Sequence, residues 1–179
     1  MERIVLTAVL AVAASACTVP AAVPAVQQVP DNLRQPATEQ LLGAVTADGV
    51  QIYECRAKGG EPQSTEWVFI APEATLLDSR GRIVGKHYAG PHWESTDGSK
   101  IVGSVSARAD APHAGAIPWL LLTTQSVGTA GAFANVTAVQ RVHTVGGLAP
   151  AVDECAAQSL GRQVRVAYRA DYVMFGPTR

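Results

Sequence analysis

The sequence predicts a mainly β fold, an antiparallel sandwich or barrel of about 7–8 strands with one or two short helices. Three observations predict it. From residue 49 onward the apolar residues alternate, or cluster in short runs rich in β-branched and aromatic side chains. Turn signals such as Asp78-Ser79-Arg80-Gly81 and Asp97-Gly98 separate those runs. No 3.6-residue apolar period intervenes between them.

In chain order, Met1 to Ala16 has the layout of an export signal: Arg3, an apolar run from Ile4 to Ala14, and small residues ahead of Cys17. That run is far shorter than the roughly 20 residues a membrane-spanning helix needs. Two processing routes are open. Ala14-Ser15-Ala16 is an A-x-A cleavage site, and small residues before a cysteine resemble a bacterial lipobox, although Ala14 stands where a lipobox has Leu. The odd count of 3 cysteines favours lipidation at Cys17, since a leftover thiol is out of place in an oxidising compartment. The expectation is export, to the periplasm or outer membrane as a lipoprotein and otherwise to the medium, with membrane contact only through a lipidated Cys17.

Residues 17–30 hold Pro20, Pro24 and Pro30 among Ala and Val, an extended tether by composition. Residues 31–179 then form a single β-rich domain. Short helices are expected at residues 39–44 and at 153–160, the second with Asp153 as cap and Gly161 as stop. Strands are expected at residues 49–55, 66–78 with a break at Pro72, 82–90, 100–110, 117–126, 136–145 and 163–175. In the last, Val164, Val166, Tyr168, Ala170, Tyr172 and Met174 share a buried face, and Arg165, Arg169 and Asp171 a wet one. Cys55 and Cys155 lie near opposite ends of the strand series. A disulfide and a metal-binding pair are the alternatives, and export makes oxidation the default.

With 14 Lys+Arg against 15 Asp+Glu and a formal charge of -1, the chain lacks the basic footprint of a nucleic-acid binder. No cofactor or metal is expected, because there is no phosphate-binding loop, no nucleophile elbow and no HExxH spacing. The densest polar and aromatic stretch carries Tyr88, His92, Trp93 and Glu94. His92 and Glu94, two apart on an extended segment, share a face and suit two metal ligands or a base with its orienting carboxylate. The competing reading makes them the rim of a turn at Gly90-Pro91. Arg108 and Asp110 share a strand end, and Arg141 and His143 are expected on one face. These would join His92 and Glu94 in one cluster if their strands are neighbours.

The chain also resembles a family of secreted bacterial and fungal proteins of unknown function. The matching stretches include Gly49-Val50-Gln51-Ile52-Tyr53-Glu54-Cys55, His87-Tyr88-Ala89-Gly90-Pro91 with Trp93-Glu94, Arg108-Ala109-Asp110-Ala111-Pro112 and Ile117-Pro118-Trp119-Leu120-Leu121. The resemblance implies one exported domain, supports the pairing of Cys55 with Cys155, and carries no activity. The favoured function is a non-catalytic domain binding a small molecule, a glycan or a protein in a cleft lined by Tyr53, Tyr88, Trp93, Trp119 and Arg141. A hydrolase-like enzyme using His92, Glu94, Asp110 and His143 is the alternative, and a purely structural envelope component the third.

Overall fold

A computed structural model describes residues 29–35 and 37–178. Eight antiparallel strands run Glu39–Lys58 (β1), Glu61–Leu77 (β2), Ile83–Tyr88 (β3), His92–Ser95 (β4), Lys100–Ala109 (β5), Trp119–Ser126 (β6), Ala138–Gly146 (β7) and Gln163–Pro177 (β8). Each pairs with the next, and β1 also pairs with β8, so the sheet is a closed up-and-down barrel. Closure removes both sheet edges. The export segment, Cys17 and most of the tether lie outside the described residues.

The inward side chains form one core from Ala47, Leu76, Trp93, Ile101, Leu122, Val139, Tyr168, Tyr172 and Met174, among others. The outer face carries charges: Asp48, Glu73, Lys86, Arg165 and Arg169 all form exposed ion pairs. Apolar inside and charged outside is the reverse of a barrel that spans a bilayer.

Four expectations need correcting. Residues 39–44 are strand, because pairing with β8 from Glu39↔Pro177 onward satisfies their backbone and overrides a helix-compatible composition. Residues 153–160 form only two 3-10 turns, Val152–Glu154 and Ala157–Ser159. Pro72 does not break β2; it sits beside a bulge where the pairing steps from Ile52↔Ala71 to Tyr53↔Phe69 and leaves Ile70 unpaired. Nor is the outer face of β8 wholly wet, since Val173 and Phe175 are buried with Val29, Leu33, Trp119, Ala138 and Val142 in a second cluster outside the barrel. That cluster forms because the segment entering the barrel lies across its wall. A 3-10 turn at Asp31–Leu33 is held there by Asn32 Nδ2 donating to the Arg108 carbonyl and by Gln140 Nε2 donating to the Leu33 carbonyl.

The two barrel ends differ. At the end holding the 127–137 connection, Phe133 and Val136 plug the interior. Asp97 holds that plug by accepting from Ala132 N at 2.8 Å and from both N and Oγ of Ser99, whose Oγ accepts from Phe133 N. Those donors keep its carboxyl well below the ordinary range, led by the Ser99 hydroxyl.

At the opposite end, Cys55 and Cys155 form a disulfide with Cα atoms 5.4 Å apart, tying the end of β1 to the 147–162 connection. The closed loop spans 100 residues. Replacing both cysteines by Ala is expected to lower unfolding free energy by about 4.7 kcal/mol, the chain-entropy value for such a loop. Urea melts of the two proteins measure it, and equal midpoints would show that the bond constrains nothing.

Candidate functional site

Strand lengths create an opening. β3 and β4 have 6 and 4 residues, between β2 with 17 and β5 with 10. β2 pairs with β3 only over Ala74–Leu77, and β5 pairs with β4 only over Lys100–Val102. Above the Gly90-Pro91 turn the wall is therefore notched. A cavity of about 220 Å³ opens there, bordered at the notch by Phe69, Ile70, Pro72, Pro91 and Val105 and lined deeper by Gln51, His87, Trp93, Leu122, Arg141 and Tyr172. Phe69, Ile70 and Val105 are 49%, 36% and 58% exposed, an apolar lip around the mouth. The bulge beside Pro72 is what presents Phe69, Ile70 and Pro72 to one side.

Strand alternation aims the interior. Leu120↔Arg141 and Arg141↔Tyr172 are register partners, which sets the guanidinium between two inward side chains. Its Nε and Nη2 donate to the Pro118 carbonyl at 3.1 and 2.9 Å. Arg141 forms no ion pair among the described residues. His87↔Trp93 is the inward pair of the β3–β4 hairpin, with rings stacked at 4.4 Å. Trp93 has room because Gly103 faces it: a Cβ there would come within 2.9 Å of the indole ring. Tyr172 completes the group, its ring 5.0 Å from His87 and 5.2 Å from Trp93.

The electrostatics of this interior have one sign. Burial pushes the His87 imidazole down to about 3, helped by the Arg141 charge and opposed by the hydrogen bond to the His92 carbonyl. His87 Nδ1 lies 2.8 Å from that carbonyl oxygen, so Nδ1 carries the proton and Nε2 presents a lone pair. Burial raises Tyr168 and Tyr172, against the pull of Arg141. Arg141 is the one cationic side chain type in this lining, which holds no carboxylate among the described residues. Trp93, 1% exposed, has a buried N–H group, Nε1, without a hydrogen-bond partner, and the buried Gln51 side chain faces the Tyr168 hydroxyl.

Among the residues singled out by sequence, Trp93 and Arg141 meet in this cavity. Tyr53 borders it through an edge contact with Phe69 at 5.7 Å and is fixed by donating to the Gly147 carbonyl. The others lie elsewhere. Tyr88, His92 and Glu94 are on the outer face: Tyr88 donates to Glu94 at 2.6 Å and stacks on His92, and Lys86 pairs with Glu94. Trp119 is sealed in the outer cluster under Leu33. Arg108 is exposed at the end of β5, in register with Leu120, and has no ion pair with Asp110.

His143 does not share a face with Arg141. A pairing shift between Val142 and Val145, with His143 at φ 50°, reverses the alternation. The ring turns outward to Asp171 at 2.9 Å and meets the edge of Trp119. His92 and Glu94 on β4 are separated from His143 on β7 by β5 and β6, about 14 Å at ordinary strand spacing. Among the described residues no three His, Cys, Asp or Glu side chains are grouped to hold a metal ion.

Sequence reasoning missed Gln51, Leu122 and Tyr172 as cavity residues, although the alternation of β8 carried the signal for Tyr172; His87 enters through its register with Trp93.

NMR titration of ring nitrogens is expected to show His87 neutral, as the Nδ1–H tautomer, from pH 8 down to about 4, whereas an unperturbed imidazole titrates near about 6.5. Since its folded pKa is the lower one, the unfolded chain binds more protons between those values, and stability falls as pH drops through that window. A His87 midpoint near 6.5 would place the ring in water.

Residues 36–176 match the family described as protein of unknown function (DUF3455). No curated protein and no solved structure matches.

Proposed function

The chain belongs to the DUF3455 family of proteins of unknown function, and from that premise we propose that it is an exported, non-catalytic binding protein that takes a small organic molecule into its barrel. The observation that carries this is the notched wall: an apolar-lipped mouth leading to a cavity with a few polar groups, the general make-up of a ligand pocket. Size argues for a compact ligand. A dry cavity of about 150 Å³ takes benzene, so about 220 Å³ takes a single ring or short chain with a polar group attached.

Binding fits better than catalysis. The buried imidazole, at about 3, is too weak a base to hold a proton in transit near neutral pH. The acid and base candidates His92, Glu94 and His143 stand on the outer wall, away from the cavity. A glycan or protein ligand would need an open groove, whereas this mouth is a gap between two strands. Export is supported by the apolar run of residues 4–14 and by a disulfide, which persists in oxidising compartments. Both processing routes would leave Cys17 as the first mature residue, lipidated in one and unmodified in the other; the mass of the mature N-terminus separates the two.

Thermal-shift screening of small metabolites against the wild-type protein and Val105→Trp tests the pocket. Val105 is exposed at the mouth, so a larger side chain there obstructs entry without touching the core. A true ligand at 100 times its dissociation constant stabilises the wild type by about 2.7 kcal/mol, and the variant is expected to lose most of that. Equal stabilisation of both proteins would put the ligand elsewhere.

A further inference from the structure

Resting on the reading of the barrel interior as a binding pocket, we infer that the ligand is a small monocarboxylate, its apolar body toward the Phe69 and Ile70 lip and its carboxylate on Arg141. The interior is short of acceptors for its donors. Arg141 faces inward in register with Leu120 and Tyr172, and is met there by the Pro118 carbonyl and the Tyr172 hydroxyl but by no carboxylate among the described residues. A further N–H donor of the same lining, Trp93 Nε1, is buried and unpartnered.

A half-buried cation with no carboxylate beside it and an orphaned buried donor are both costly, and both are relieved by a group that only accepts hydrogen bonds and carries negative charge. An ionised carboxylate has two acceptor oxygens and no donor, and its plane matches a guanidinium edge. The lining offers no second cation for a dianion, since His87 is neutral there. The cavity of about 220 Å³ leaves room beyond the headgroup for one ring or a chain of a few carbons.

Calorimetry decides it with two matched pairs of probes: benzoate against benzyl alcohol, and hexanoate against hexanol, each added to the full chain. At least one acid is expected to bind about ten-fold or more tighter than its alcohol, the factor that a charge-assisted hydrogen bond contributes. Preference for benzoate assigns a ring as the body, and preference for hexanoate a chain. In Arg141→Met the acid is expected to fall to the affinity of its alcohol, and Arg141→Lys to retain part of the difference. Should Arg141→Met fail to fold, the acid-to-alcohol ratio in the wild type and its decline with added salt still decide.

Alcohols binding as tightly as acids would overturn the carboxylate assignment and leave the pocket in place. Binding by neither pair, while other compounds of the thermal-shift screen bind and lose affinity in Val105→Trp, would overturn the assignment alone. Binding by neither pair together with an empty screen would overturn the pocket as well.

Discussion

Everything in this molecule depends on the pairing of β1 with β8. Their register runs from Glu39↔Pro177 to Glu54↔Gln163, so the first and last strands meet along nearly their whole length and close the sheet on itself. An open eight-stranded meander would leave two edges and a face to cover. Closure instead creates an interior, and strand alternation then decides, residue by residue, what enters it. Arg141, His87 and Gln51 are inside for that reason alone.

A closed wall normally seals a small barrel, because eight strands leave an interior just wide enough for side chains to fill. Two departures prevent sealing. The β3–β4 hairpin is too short to reach the height of β2 and β5, and the bulge at Ile70 turns apolar residues toward the gap. The other end is plugged by Phe133, in a connection held by Asp97.

The β character of the chain was legible because β-branched and aromatic residues alternate between turn residues, most clearly in β8. What was not legible has physical causes. Residues 39–44 carry Glu, Gln, Leu and Ala, good helix formers, and only the long pairing with β8 makes them strand. His143 was expected beside Arg141 because alternation was extended through a bulge that no glycine or proline announces. His92 and Glu94 do share a face, yet which face is decided by Trp93 seeking the core over Gly103, a contact made across strands. Trp119 was read as a cleft residue, and the entering segment buries it on the outside. Arg141 and Trp93 were found from residue type; their meeting depended on strand order.

The most direct measurement uses the 3 tryptophans of the chain as reporters placed in different surroundings. Trp93 Nε1 is a cavity donor without a partner, Trp119 lies in the outer cluster, and Trp67 donates to the Ala151 carbonyl near the disulfide. In a 1H–15N spectrum of the indole groups, adding benzoate or hexanoate should move the Trp93 signal to lower field and leave Trp67 and Trp119 in place. A Trp93 signal that stays fixed at saturating ligand while Trp67 or Trp119 moves would contradict an interior site.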